Sequence, residues 1–281
     1  MLTDRALSVL ACSRCRGPLS ASNGDARCIS CGMLVPVRNG VVIGRATEAR
    51  SYFDSVFEVM RQSNREPGTW EIFYHEQVDL VTSMLRDTDV VVDVGCGPDI
   101  LYRKGKAFVI GLDASFESIR ANQMVDVRLF SSAASLPLRD ACADVVLCFY
   151  SIHHMTGKTV VENRSIVQQV FMEFRRILKP GARLLVFEVS PKRPFGLVET
   201  LSWNTARSAL GPGLDMYFWQ KRDLTKLGEE TLPRAQLSVR DFTGSPLTTF
   251  PPIFSKQWFR LPRVLYPFQV CLYEWRVPTS A

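Results

Sequence analysis

The sequence predicts an α/β fold built on a mostly parallel sheet, preceded by a small cysteine-rich unit. Three observations predict it. Val90-Val91-Val92-Asp93-Val94 is an apolar, β-branched run broken only by Asp93, the pattern of a strand buried on both faces. It enters Gly95-Cys96-Gly97-Pro98, a sharp turn where backbone can touch a ligand at the carboxyl edge of a sheet. Val109–Asp113 and Asp144–Tyr150 repeat the apolar run, and a helix ending Leu178-Lys179-Pro180-Gly181 leads into another strand, Arg183–Glu188.

Taken in order, the chain opens with Cys12-Ser13-Arg14-Cys15 and Cys28-Ile29-Ser30-Cys31. Each CxxC bends two thiolates toward one point, and two such knuckles make a tetrahedral four-thiolate site suited to zinc. Gly17-Pro18 and Gly32 supply the turns. The other chemistry of this motif, a redox dithiol, normally comes as one pair beside a βαβ unit. Thr47–Ser63 and Trp70–Leu85 show helical spacing, and Asn64–Gly68 reads as a linker between them. Tyr52, Phe53, Trp70 and Tyr74 are available as core or as pocket wall. Beyond the glycine turn only Ile100–Lys106 precede the next strand, so a short crossover helix is expected. A helix over Phe116–Asn122 follows, capped by Asp113 or Ser115, and then a strand, Val127–Phe130. Val161–Lys179 repeats apolar residues every three to four positions, as a helix covering a sheet does, and stops at Pro180-Gly181. Arg222–Glu229 is expected to be helical, Leu237–Phe242 and Phe268–Trp275 to be strands. Two stretches rich in aromatics, about 190–220 and 245–265, read as lid loops, with Lys192, Arg193, Lys256 and Arg260 among their residues.

Five segments, VVDVGCGPD, VIGLDAS, SLPLRDACADVVL, SIHHM and ILKPGARLLVFE, occur in this order over roughly residues 88–189. Together they resemble the class I S-adenosylmethionine (SAM)-dependent methyltransferases. A nicotinamide-binding domain would need GxGxxG opening a helix, which Asp99-Ile100 does not supply. The resemblance implies a Rossmann-like, seven-stranded, mostly parallel sheet with an antiparallel last strand. It also implies cofactor-binding residues. The backbone at Gly95 and Gly97, with Asp93 nearby, would hold the amino-acid end of SAM. Asp113 would accept from the ribose hydroxyls. Ser132, where the family often has an acid, and Ala133 would meet adenine. Cys148 and Phe149 would line the methionine arm. His153 is the candidate catalytic base facing the reactive methyl, the alternative being that His153 and His154 are packing residues.

CSRCRGPL, CISCG and VPVRNGVVIG resemble the small zinc-ribbon proteins that partner and activate methyltransferases of tRNA and of translation factors. A similar ribbon precedes the catalytic domain of guanine methyltransferases acting on large-subunit ribosomal RNA. Here it is fused in the same chain. Its metal would be a structural zinc on Cys12, Cys15, Cys28 and Cys31, and the ribbon would either stabilise the catalytic domain or touch RNA. The expected organisation is a zinc ribbon at 1–45, a helical linker and cofactor lid at 46–88, and a methyltransferase domain at 89–281.

The 281 residues suffice for such a layout, and the net charge of +6 is too small to demand a nucleic-acid partner. Arg14, Arg16, Arg27, Arg38 and Arg45 are scattered without interleaved aromatics. No apolar run is long enough to span a membrane, and the N-terminus lacks a signal-peptide layout. The eight cysteines, four in CxxC pairs and the rest in or beside core strands, fit a reduced cytoplasmic setting. The expected activity is methyl transfer from SAM to O, N or C of a small or medium-sized acceptor. An rRNA or tRNA methyltransferase is the alternative, and a non-catalytic scaffold that binds SAM or a partner protein the third reading. The sequence leaves the oligomeric state open.

Overall fold

A computed structural model describes residues 2–44, 74–211, 214–242, 249–250, 261–262 and 267–279. The expected helix at 47–63, the linker, Arg45, Tyr52, Phe53, Trp70, Lys256, Arg260 and most of the second lid lie outside the described residues. Helix α1 (Asp4–Val9) leads into the cysteine unit, whose strands β1 (Leu19–Ser22), β2 (Asp25–Cys28) and β3 (Leu34–Val35) form a small antiparallel sheet. Strands β4 (Val37–Arg38) and β5 (Val41–Ile43) follow. Then come α2 (His75–Met84), β6 (Val90–Val94), β7 (Phe108–Asp113), α3 (Phe116–Ala121), β8 (Val127–Phe130) and β9 (Ala143–Phe149). The chain continues through α4 (Val160–Ile177), β10 (Leu178–Pro191), α5 (Arg193–Leu210), α6 (Lys221–Thr231) and β11 (Gln236–Phe242). Strands β12 (Thr249–Phe250) and β13 (Leu261–Pro262) pair with each other, and β14 (Phe268–Arg276) closes the described chain.

The large sheet has nine strands in the order β11-β14-β10-β9-β6-β7-β8-β5-β4. Neighbours from β10 to β5 are parallel, while β14 runs antiparallel to both β10 and β11. Seven of these strands are the expected Rossmann-like set with its antiparallel last strand. The other two come from the N-terminal unit. The sequence draws a boundary at residue 45, but Val41–Ile43 pairs in parallel with Arg128–Phe130. This covers a strand edge that would otherwise leave backbone N–H and C=O groups unpaired, and it buries Val41 and Val42.

Alternation along the parallel strands sorts the core into two faces. Val92, Val94, Val146, Cys148, Leu184 and Val186 meet Val167, Val170, Phe171 and Phe174 of α4 on one face. Val91, Val145, Leu147, Leu185 and Phe187 meet Val78 and Val81 of α2 on the other. Helix α4 starts where Thr159 accepts from the N–H of Glu162, and Arg175 and Arg176 in its last turn suit the negative end of its dipole.

Two expectations are corrected. No helix fills the crossover after the glycine turn: residues 98–107 run as turns, because so few residues cannot wind a helix and return to β7. Ile100, Tyr102 and Ala107 are buried there instead, beside α2. The stretch after β10 is not an irregular lid loop but the eighteen-residue α5.

Candidate active site at the carboxyl edge of the sheet

The site is assembled from the turns that leave β6, β7, β8 and β9. Gly95 and Gly97 both take left-handed backbone, with φ of 73° and 64°. A Cβ on Gly95 would lie 2.1 Å from Ser151 Oγ, which itself donates to the Gly95 carbonyl at 3.2 Å. The glycine turn and the turn after β9 are thus clipped together. At Gly97 a Cβ would meet nothing within 4 Å. That side of the turn is open space that forms a cradle, although Gly97 N–H donates to Asp113 and its carbonyl accepts from Asn122 Nδ2.

Asp113, at the end of β7, ties this cradle down. Its Oδ2 accepts from Gly97 N–H at 2.9 Å and its Oδ1 from Ser115 N–H at 2.7 Å. Ser115 caps α3 by accepting from Ser118 N–H, so Asp113 is not consumed as the cap. Asp93 is buried. Tyr102 Oη donates to its Oδ2 at 2.9 Å, while its buried Oδ1 has no hydrogen-bond partner among the described residues. Burial pushes the Asp93 carboxyl up to about 7, against the Tyr102 hydrogen bond, and the charge of Asp113 adds to the rise. An orphaned buried acceptor beside an open glycine turn fits an ammonium and its neighbouring carboxylate.

Ser132 and Ala133 are half-buried in the loop after β8, where Ser132 Oγ accepts from Ala134 N–H at 3.2 Å. Cys148 and Phe149 are not brought together. Strand alternation puts Cys148, fully buried, on the α4 face and Phe149 on the other, among Tyr74, Tyr150 and Phe187. Tyr150, the next residue, takes left-handed backbone with φ 54°, an uncommon conformation for a bulky side chain at the end of a central strand.

His153 sits on a single short turn, Ile152–His154. Its Nδ1 is 2.8 Å and 3.1 Å from the two carboxylate oxygens of Glu188, a residue of β10 that is fully buried. Glu188 also accepts from Ile152 N–H at 3.0 Å. Phe218 stacks on the His153 ring with centroids 5.3 Å apart, and Tyr217 N–H donates to the His153 carbonyl. Glu199, on α5, accepts from Phe218 N–H at 2.9 Å, and burial raises its carboxyl to about 7. His154 Nδ1 lies 3.5 Å from Asp215, and burial, then the neighbouring His153, lowers its pKa. Tyr102, Ser151, Glu188, Glu199 and Asp215 are site neighbours that sequence reasoning missed. Glu188 carried a signal, as the acid closing the LLVFE strand, and so did Ser151, as the first residue of SIHHM.

At the N-terminus, the Sγ atoms of Cys12, Cys15, Cys28 and Cys31 all lie within 4.8 Å of one another. Cys12 and Cys31 are 3.7 Å apart, and Cys15 and Cys28 3.4 Å. A tetrahedral zinc with bonds of about 2.3 Å has sulfur–sulfur edges of about 3.8 Å. The donor set therefore fits zinc in type, number and spacing. All eight cysteines are free of disulfides.

Residues 92–186 match the family model described as Methyltransferase domain. The matched segment is a methyltransferase domain. No curated protein matches the chain. Solved structures resemble the methyltransferase at low identity. A chain of the complex between the Haloferax volcanii Trm112 methyltransferase activator and a provisionally assigned methyltransferase is 16% identical, with a TM-score of 0.56, covering 82% of this chain and 99% of that one. The [4+2]-cyclase SpnF is 15% identical with a TM-score of 0.56, covering 86% and 100%. Phosphoethanolamine N-methyltransferase 2 of Haemonchus contortus, solved with phosphomonomethylethanolamine and S-adenosylhomocysteine, is 12% identical with a TM-score of 0.52, covering 84% and 62%. These likenesses establish the fold, and they leave the acceptor open. No helix among the described residues is long and apolar enough to cross a membrane.

Proposed function

We propose that the enzyme transfers the methyl group of SAM to a protic group, a hydroxyl or a neutral amine, on a small or medium-sized acceptor, with His153 as general base. The observation that carries this reading is the Glu188–His153 pair at the carboxyl edge of the sheet. A carboxylate on Nδ1 takes the Nδ1–H, so the basic lone pair sits on Nε2. Ser151, two residues before His153, donates to the Gly95 carbonyl, which supports reading the two turns as one site.

When bound, SAM supplies an electrophilic methyl on a sulfonium for in-line displacement. Asp93 Oδ1 and the backbone around Gly95 and Gly97 would hold its amino-acid end. Asp113 would accept from the ribose, and Ser132 and Ala133 would meet the adenine. His153 takes the acceptor's proton as the new bond forms, and Phe218 covers one face of the imidazole. Zinc on Cys12, Cys15, Cys28 and Cys31 would be structural, because four thiolates would fill its positions and leave none open for chemistry. The ribbon, fused to the sheet edge through β5, serves within one chain as a stabilising activator.

The RNA reading has less support. Arg16 is engaged by Glu173, and Arg27 donates to the Gly32 carbonyl. The test is incubation with methyl-labelled SAM and separated small-molecule and RNA fractions. Label in the small-molecule fraction is the expected result. Label confined to RNA, with binding that weakens steeply as salt rises, overturns the acceptor assignment. Failure to bind SAM in calorimetry overturns the whole reading.

A further inference from the structure

We infer that Glu173 is a positioning residue through which the four-cysteine metal site controls the loop that receives adenine. The inference rests on the reading of Ser132 and Ala133 as adenine contacts.

That loop, residues 131–138, is gripped by the N-terminal unit at three points. At its start, Gly44 N–H donates to the Phe130 carbonyl at 2.9 Å. At its end, Ala11 N–H donates to the Pro137 carbonyl at 2.9 Å, and Leu10 forms a bridge with Leu138. The third grip is made of side chains. Glu173 Oε1 accepts from Arg16 Nη2 at 2.9 Å, and its Oε2 accepts from Leu136 N–H at 2.9 Å. Arg176, one turn further along α4, donates to both Glu173 oxygens and to the carbonyls of Leu136 and Leu138, at 2.9 and 2.7 Å.

Arg16 follows Cys15 directly. It takes left-handed backbone, φ 57°, and its N–H donates to the Cys12 carbonyl at 2.8 Å. Its side chain is therefore aimed by the knuckle that Cys12 and Cys15 form. A metal that closes the knuckle fixes Arg16. Arg16 fixes one oxygen of a carboxylate whose other oxygen holds the loop. Glu173 and Arg176 are largely buried, so the bonds between them escape most solvent screening, while Arg16 reaches Glu173 from the exposed side. Loss of the metal frees Arg16, and the Glu173 carboxylate that anchors Leu136 is then held by Arg176 alone.

The experiment is a calorimetric cycle with SAM on four samples: the zinc-loaded chain, the chain stripped with a chelator, zinc-loaded Glu173→Gln, and stripped Glu173→Gln. Stripping is expected to weaken SAM binding about tenfold in the natural chain and less than about twofold in the variant. Hydrogen exchange at the Leu136 amide should rise in the same samples. A packing role alone would give additive effects, which overturns the inference. Zinc-loaded Arg16→Ala keeps all four cysteines and serves where stripping unfolds the chain. It should bind SAM several-fold more weakly, and undiminished affinity overturns the inference. If the zinc-loaded natural chain does not bind SAM at all, the failure belongs to the cofactor-site reading instead.

Discussion

Tyr102 Oη and Asp93 Oδ2 are 2.9 Å apart, and this hydrogen bond satisfies only one of the two oxygens of a buried carboxyl. The other oxygen is left for a ligand. Burial raises the Asp93 carboxyl from 3.8 to about 7, so the folded chain holds a proton that the unfolded chain gives up. This group's contribution to stability is therefore complete below about pH 4 and is lost as pH rises through about 7. A cation placed beside Asp93 favours its charged form. SAM affinity should rise with pH through about 7 and level off near pH 8, where the ligand's own α-amino group loses its proton. Calorimetry in buffers of different ionisation enthalpy should register proton release on binding near pH 6. Asp93→Asn should bind weakly at every pH, and a variant that keeps the slope removes Asp93 from the site.

Glu188 and His153 make a second testable pair. His153→Ala should lower kcat about 10²- to 10⁴-fold, with SAM affinity little changed. Glu188→Gln is the more telling variant. Its amide can donate to Nδ1 while its oxygen keeps the Ile152 N–H, which drives the imidazole into the Nε2–H tautomer and removes the basic lone pair. Nitrogen NMR should find the Nδ1–H tautomer in the natural chain and the Nε2–H tautomer in the variant. A shared tautomer in the two proteins contradicts the assignment of roles.

Gly97 and Asp113 act together at the turn. A side chain at Gly97 fits without collision in the ligand-free chain, but left-handed backbone costs an L-residue about 1–2 kcal/mol and the side chain fills the cradle. Gly97→Arg should abolish measurable SAM binding, with a loss of stability no larger than that backbone cost. Asp113→Ala removes the acceptor for Gly97 N–H as well as the expected ribose contact, while Ser115 keeps α3 capped. Its SAM affinity should fall at least about tenfold. Folded variants with undiminished affinity would falsify the placement of the cofactor.

These examples also mark where the sequence is readable. The strand and turn carrying Asp93, Gly95 and Gly97 were legible because they follow local backbone rules, and Asp113 because it ends the next apolar run. Tyr102 was not, because its partner is set by a crossover that returns without a helix. Glu188 was visible as a strand residue, but its meeting with His153 depends on the parallel register that sets Phe187 opposite Phe149. Helix α5 was missed for a different reason. It buries Gly196 and Trp203 and leaves Phe195, Leu197, Val198 and Leu201 exposed, the reverse of the pattern that marks a helix on a core. Three residues of β5 are too few to announce a strand, and only the open edge of β8 gives them one.

Gly228 and Trp275 supply a prediction on the scaffold. By helix propensity alone, Gly228→Ala in α6 should stabilise by about 1 kcal/mol. The structure reverses the sign. A Cβ at 228 would lie 2.3 Å from Trp275 Cζ2 and 2.5 Å from Cε2. Trp275 cannot retreat, since it is fully buried, with Tyr273 stacked on it and the edge contact with Phe171 at 5.4 Å. Forcing a methyl into such a site costs about 1–3 kcal/mol or more. Denaturant unfolding should therefore find Gly228→Ala less stable by about 1–2 kcal/mol, because the overlap is with a rigid ring and exceeds the propensity gain. SAM affinity should stay unchanged, since neither residue belongs to the cofactor cradle. A stabilised variant would mean that β14 and α6 pack less closely than these contacts require.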